Sequence, residues 1–370
     1  MKVYENISLK PYNTFGIDVK ARRLVVVESG DDLVTLTLSH SETLILGGGS
    51  NMVFTKDYDG TVITLSHSSN QAIKQSSNLV TAWGGMVMDD LIQWTLDHGL
   101  YGLENLSAIP GTVGASAVQN VGAYGAEAKD FIESVEAYDL LERRQCTFCN
   151  ADCQFAYRDS LFKHHPGRYL ILRVTYRMSK KFVPNLSYKA LEGLPHATAQ
   201  QLREAITEVR WNKLPRPEEH GSAGSFFKNP VVDESTYLRL KAEYPDMPDA
   251  HSLPASGGNP VNLGNGFDKI SHDFDGPDKS WKSKDNLQDF HDFTDRWESK
   301  FYKLSAGWLI DKAGWKGRTQ GRAGVWPKNA LVLYNADGCS GDEVRALAAA
   351  IQQDVKQKFG VALDPEAIII

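Results

Sequence analysis

The spacing of apolar residues changes several times along the chain, and each change marks an element. A short apolar run, Thr43-Leu-Ile-Leu46, ends in Gly47-Gly-Gly-Ser-Asn51, and apolar character resumes at Met52-Val-Phe-Thr55; this predicts strand, glycine turn, strand. Between 89 and 98, Leu91, Ile92, Thr95 and Leu96 fall at helical spacing, with Gly99 as a stop. Residues 131–141 and 169–177 read as strands. Thr198 followed by Gln201 forms a capping box for a helix to about Lys213, which Leu214-Pro-Arg-Pro217 ends. An apolar helix is predicted over 304–313 and a strand over 330–334. Ser340-Gly-Asp-Glu343 is a second capping box, opening a helix to about Phe359 with Gly360 as its C-terminal stop.

Two stretches break these periods. Residues 102–125 carry almost no charge and many small side chains. Too polar-poor for a free loop and too glycine-rich for a core helix, they read as backbone packed against a large flat ligand or as a small-residue packing loop. Residues 249–300 are dense in Gly, Asn, Asp, Ser and Lys with scattered aromatics, and no period emerges. A segment this long is unusual within a compact domain and reads as an insertion with partial order.

The length of 370 residues favours two or three domains, and 42% hydrophobic with 23% charged residues is ordinary for a soluble globular chain. A net charge of -6 argues against general nucleic-acid binding, which needs a concentrated basic face. No apolar run is long enough to span a bilayer, and the first residues lack a signal pattern, so a cytoplasmic location is expected. Cys146, Cys149 and Cys153 are clustered, but a fourth ligand with similar local order is missing from the sequence; reduced thiols are expected and no metal.

The stretch richest in chemistry is Gly221-Ser-Ala-Gly-Ser-Phe-Phe-Lys-Asn-Pro230. It sets one hydroxyl, Ser225, in a loop of small residues where a bound molecule can approach closely, with Lys228 and Asn229 offering donors. Gly47 to Asn51 lacks the last glycine and the following helix of a dinucleotide fingerprint, because Met52 stands there; it is either an anion nest or a plain hairpin turn. Glu366 precedes an apolar tail, a setting that can raise a carboxyl pKa if the strand is buried, or leave a solvated strand end.

Taken together and in order, Asn13-Thr-Phe-Gly16, Leu46 to Asn51, residues 102–125, Tyr157-Arg-Asp-Ser-Leu-Phe-Lys163, residues 221–230, Leu304-Ser-Ala-Gly-Trp-Leu-Ile-Asp311 and Leu363-Asp-Pro-Glu366 resemble the UDP-N-acetylenolpyruvoylglucosamine reductase family over nearly the whole chain. The resemblance implies an α+β fold: a vanillyl-alcohol-oxidase-type (PCMH) FAD-binding region in two lobes, about 1–70 and 71–200, and a C-terminal α+β substrate-binding domain, 201–370. It implies non-covalent FAD, NADPH as reductant, and UDP-N-acetylglucosamine enolpyruvate as the substrate that replaces NADPH. Flavin N5 would give hydride to C3 of the enolpyruvyl group and Ser225 a proton to C2, yielding UDP-N-acetylmuramate for peptidoglycan. A monomer is expected.

By the same resemblance, Arg158 and a protonated Glu366 sit at the substrate carboxylate, and Tyr157, Tyr188, Lys213 and Asn229 line the nucleotide part. FAD is expected at Gly47, Gly48, Gly49, Ser50, Asn51 and Met52, at Ile109, Pro110, Gly111, Gly114, Ala115, Ser116 and Gly122, and at Ile171. Without the resemblance Lys213 reads as a solvated helix-end lysine. Two departures stand out: 249–300 exceeds the family's usual connection, and Tyr188-Lys-Ala-Leu191 replaces its commoner Tyr-Gly-x-Leu. The competing readings are an oxidase of the same FAD-binding superfamily, which need not have Ser225 with Tyr157-Arg158, and a non-catalytic nucleotide-sugar binder, which need not keep Ser225, Arg158 and Glu366.

Overall fold

The computed structural model describes residues 1–36, 42–67, 73–194, 197–253 and 300–370. The expected insertion therefore lies almost wholly outside the described residues. Its two flanks, His251–Leu253 and Phe301–Lys303, are adjacent antiparallel strands of one three-stranded sheet with Val231–Asp233.

The chain begins with Lys2–Ser8 and Lys20–Val27, an antiparallel pair, onto which Tyr58–Leu65 and then Thr43–Leu46 add in parallel. Side chains alternate across this sheet, with Ala21, Leu24, Val25 and Val27 buried. A second sheet is wholly antiparallel, in the order Arg144–Cys149, Ile132–Asp139, Tyr169–Arg177, Leu79–Trp83, Ile73–Ser76. Met88–Asp97 is the predicted amphipathic helix, burying Met88, Leu91, Ile92 and Thr95, and Gly99 leaves it at φ +66°. The third sheet, Ser222–Ser225, Val332–Asn335, Ala323–Val325 and Thr319–Gln320, carries the small-residue loop on its edge.

Both capping boxes form. Thr198 and Gln201 exchange side-chain and backbone bonds at the start of Ala199–Lys213, and Ser340 and Glu343 do so at Gly341–Phe359, where Gly360 closes the helix at φ +72°. Each such cap stabilises its helix by about 1 kcal/mol. Ala306–Lys312 is capped by Ser305 alone.

Two expectations are corrected. The glycine run is no hairpin: Thr43–Leu46 pairs with Tyr58–Leu65, whereas Met52–Val53 pairs in parallel with the chain end, Ile368–Ile369. The turn therefore passes the chain from one sheet to another. Residues 102–125 do contain a helix, Val113–Gln119, whose N-cap Thr112 accepts the Ala115 amide. Its glycine permits close packing: a Cβ on Gly114 would lie 3.1 Å from the Gly84 carbonyl and 3.3 Å from that of Ile171.

One apolar cluster joins Leu24 of the first sheet, and Leu9, Phe15 and Phe54 from the segments that connect its strands, to Phe226, Leu309, Val344 and Phe359 from the C-terminal half. The first sheet and the last helix thus share a core, and the second sheet has its own, around Val80, Leu91, Val135 and Val174. Among the described residues no helix is long and apolar enough to cross a membrane.

Candidate active site

A cleft of about 370 Å³ opens where the 109–124 segment, the 199–213 helix and the third sheet meet, within the range of small-molecule sites. Ser225, Arg158 and Glu366 all line it, as do Tyr188 and Lys213, and Ser50, Asn51, Ile109, Pro110 and Gly122.

The strand pairing explains how residues so far apart in sequence converge. After Ser225, the Phe226 carbonyl accepts the Glu366 amide at 2.8 Å, and the Lys228 amide donates to Asp364 at 2.9 Å. The chain end therefore runs beside the 221–230 loop and delivers Glu366 next to Ser225. Thr14 anchors the other side, its hydroxyl donating to the Ser222 carbonyl at 2.7 Å.

Arg158 comes from a tight turn in which Ala156 and Asp159 exchange backbone hydrogen bonds of 3.0 and 3.1 Å. Its backbone is left-handed, φ +54°, a conformation that costs a Cβ-bearing residue roughly 1–2 kcal/mol. Its guanidinium Nε donates to Glu366 Oε1 at 2.8 Å and Nη2 to the Gly122 carbonyl at 2.6 Å. Glu366 also accepts from Gln119 Nε2 at 3.2 Å. The carboxylate thus faces a guanidinium and an amide rather than the apolar flank expected from its tail, because Ile368–Ile369 turns away to pair with Met52–Val53. The Arg158 guanidinium and the Glu366 carboxyl form a half-buried ion pair on the cleft wall.

Positive charge gathers around this pair. Lys163 donates to the Arg158 carbonyl at 2.8 Å and to Gln119 Oε1 at 2.9 Å, and burial, with Lys228 nearby, pushes its pKa down. Lys303 is also pushed down, by burial and then by Arg158, and its Nζ lies 3.3 Å from the centroid of the Tyr157 ring. On the other wall Lys213 Nζ meets the Tyr188 hydroxyl at 3.5 Å, and Tyr188 packs edge-on against Tyr124. Arg210, one helical turn before Lys213, lines the same cleft; burial lowers its pKa, and its Nε has no hydrogen-bond partner among the described residues.

The other glycine-rich wall is built by close backbone approach. A Cβ on Gly48 would lie 3.1 Å from Gly111 Cα, and one on Gly47 would lie 2.8 Å from the Ala115 Cβ. Gly49, at φ +61°, leaves no room at all: its Cβ would sit 2.0 Å from the Tyr12 carbonyl oxygen. Ser50 ties this turn to the other by donating to the Pro110 carbonyl at 2.9 Å. Two turns stripped of side chains and facing an uncharged strip, Ile109, Pro110 and Val121, suit a flat dinucleotide cofactor.

Not every candidate reaches the cleft. The Ser116 hydroxyl points inward, donating to the Val113 carbonyl at 2.7 Å beside the Tyr176 hydroxyl. Met52 and Ile171 are buried within their strands. Asn229 Oδ1 accepts the Ala306 amide at 3.0 Å and so serves the start of the 306–312 helix. Tyr157 stacks under Lys303 beside the cleft and is 40% exposed. Sequence reasoning assigned no role to Gln119, Tyr124, Lys163, Arg210, Lys303 or Asn329. Arg210 was the most accessible, since it shares a helix face with Lys213. Cys146, Cys149, Cys153 and Cys339 are free thiols, and burial pushes Cys153 up to about 12.

Comparison with known proteins agrees with this geometry. The profile described as "FAD binding domain" matches residues 21–141. With the mixed sheets and the glycine cradle, this defines an FAD-dependent oxidoreductase of the vanillyl-alcohol-oxidase type. A second profile, "UDP-N-acetylenolpyruvoylglucosamine reductase, C-terminal domain", matches residues 216–370. The UDP-N-acetylenolpyruvoylglucosamine reductase of Pseudomonas aeruginosa is 39% identical over 99% of this chain and 98% of its own length. That of Burkholderia ambifaria is 39% identical over 98% of this chain and 95% of its own. The chain belongs to the UDP-N-acetylenolpyruvoylglucosamine reductase family. The solved structure of the Thermus caldophilus reductase shares the fold, with a TM-score of 0.63 over 100% of this chain and 99% of that one at 21% identity.

Proposed function

We propose that this protein uses NADPH to reduce UDP-N-acetylglucosamine enolpyruvate to UDP-N-acetylmuramate in peptidoglycan precursor synthesis, as a monomer in the cytoplasm. The observation that carries this reading is the convergence of Ser225, Arg158 and Glu366 on one cleft with Ser50 and Asn51, the end of the glycine turn. Bound FAD, reduced by NADPH, supplies the hydride for C3 of the enolpyruvyl group. The residues of the chain supply placement, charge and the proton. Region 1–200 holds the cofactor through Gly47 to Asn51 and 109–122, and region 201–370 contributes most of the substrate side.

The Ser225 hydroxyl, in a loop whose preceding Gly224 is left-handed at φ +68°, holds the proton for C2. A serine is a weak acid, so it transfers that proton only to a strongly basic, closely held enolate-like carbon. Arg158 faces the substrate carboxylate, where negative charge accumulates, and its fixed guanidinium stabilises that charge without reorganisation. Glu366 accepts from Arg158 Nε, so a substrate carboxylate shares these donors with it. A protonated Glu366 would donate a hydrogen bond to that carboxylate. Lys213, with Tyr188, takes the diphosphate.

The test is anaerobic stopped-flow on the yellow protein. NADPH bleaches the flavin, and UDP-N-acetylglucosamine enolpyruvate restores its colour rapidly. Restoration by oxygen alone points instead to an oxidase. In Ser225→Ala the bleaching by NADPH persists while turnover of the enolpyruvyl sugar falls by about 10²–10⁴; normal turnover removes Ser225 from the proton-donor role.

A further inference from the structure

Lys163 belongs to none of the roles above, yet it touches the backbone or side chains on which two of them depend. It lies in the single helical turn Leu161–His164. Fully buried Ser160 holds the start of that turn by donating to the Val118 carbonyl at 2.7 Å, and Phe162 packs edge-on against Phe148 and Tyr169. From this anchored turn the lysine reaches back over the cleft wall. Its two acceptors, the Arg158 carbonyl at 2.8 Å and Gln119 Oε1 at 2.9 Å, are both uncharged.

Each contact has a consequence. An ammonium can only donate, so it fixes which end of the Gln119 amide faces it: oxygen toward Lys163, and therefore nitrogen toward Glu366 Oε1 at 3.2 Å. Rotated by half a turn, that amide would present its oxygen to the carboxylate. The other contact clamps the carbonyl of a residue in left-handed backbone, φ +54°, which a non-glycine residue leaves unless its surroundings hold it.

We propose that Lys163 is a positioning residue for the enolpyruvyl half-reaction, holding the Arg158 backbone directly and the Glu366 carboxyl through Gln119. The proposal rests on the function assigned above to Arg158 and Glu366. Buried and beside Lys228, the ammonium has its pKa pushed down, as expected for a group kept at a dry wall to hold its neighbours.

The test combines kinetics with structure on the FAD-loaded full chain. In Lys163→Met, kcat for the enolpyruvyl sugar falls about 10–100-fold, the scale for loss of an outer-layer orienting partner, while flavin reduction by NADPH stays within about twofold. Gln119→Leu lowers the same step, and the double variant loses no more than Lys163→Met alone, because that variant already forfeits the orientation of Gln119 toward Glu366. Losses that multiply, or that accompany equal losses in flavin reduction and melting temperature, overturn the proposal in favour of a purely structural lysine. A crystal structure of Lys163→Met without substrate gives a readout independent of turnover. Arg158 should leave positive φ or the Gln119 amide should rotate, parting Arg158 from Glu366; unchanged geometry overturns the proposal. Should Lys163→Met fail to fold, Lys163→Gln, which keeps one donor without the charge, takes its place in both experiments. A wild-type protein that cannot turn over the sugar refutes the assigned function, and the crystal structure then decides the role of Lys163 by itself.

Discussion

Arg158→Gly and Arg158→Ala separate the two properties of that position, its charge and its backbone. Both variants remove the guanidinium and break the 2.8 Å bond to Glu366, an ion pair whose side chains are only 18% and 13% exposed. That loss is common to both and cancels when they are compared. What remains is the backbone at φ +54°. A Cβ there costs roughly 1–2 kcal/mol, and glycine's greater freedom in the unfolded chain offsets roughly 0.5–1 kcal/mol. The net expectation is that the glycine variant is the more stable by on the order of 1 kcal/mol, the reverse of the usual ranking of alanine and glycine. For a chain of this size that corresponds to about 2 °C in melting temperature, measured by circular dichroism on the FAD-loaded proteins. Both variants should bleach normally with NADPH and lose about 10²–10³ in turnover of the enolpyruvyl sugar, the scale for one donor aimed at developing charge. An alanine variant as stable as the glycine variant refutes the strain at Arg158, and normal turnover in either refutes its electrostatic role.

Gly49→Ala forces a Cβ to within 2.0 Å of the Tyr12 carbonyl oxygen, so the turn must move; purified protein should carry less flavin per chain by visible absorbance and lose roughly 1–3 kcal/mol in stability. Lys213→Ala should raise KM for the enolpyruvyl sugar about tenfold, the worth of one charge-assisted contact, with flavin content unchanged; an unaltered KM removes Lys213 from the diphosphate site. Glu343 is held at about 2, below its ordinary 4.5, first by Arg322 and then by the Ser340 amide. Its contribution is therefore complete above pH 4.5 and lost as pH falls toward 2, so the melting-temperature gap between wild type and Glu343→Gln should be open at neutral pH and close across that window.

The helices with capping boxes were legible because their signals are local: Thr198 with Gln201, and Ser340 with Glu343, satisfy backbone amides within four residues and need no other part of the chain. The 113–119 helix was hidden for the opposite reason. Its glycine disfavours a helix by propensity, and its close approach to the Gly84 and Ile171 carbonyls is a tertiary contact the local sequence does not display. The glycine run at 47–49 showed in sequence that backbone was needed without side chains. Whether it formed a hairpin depended on which strand took Met52–Val53, and the partner proved to be the chain end more than 300 residues away. Candidate site residues were legible as types and motifs. Their pairing was not: the sequence places Glu366 beside an apolar tail, and the fold places it on Arg158 and Gln119.

By itself the amino-acid sequence determined the alternation of strands and helices, the cap positions, the small-residue loops and the ordered motif set of a flavin-dependent family. These are properties of neighbouring residues, fixed by dihedral preference, side-chain size and local hydrogen bonding. The tertiary structure alone decided that Ser225, Arg158 and Glu366 share one cleft, that Ser116 turns inward, and that Lys163 stands behind the ion pair. Those outcomes depend on which distant strands pair and which faces become dry, and free energies of that kind are set only when the whole core closes.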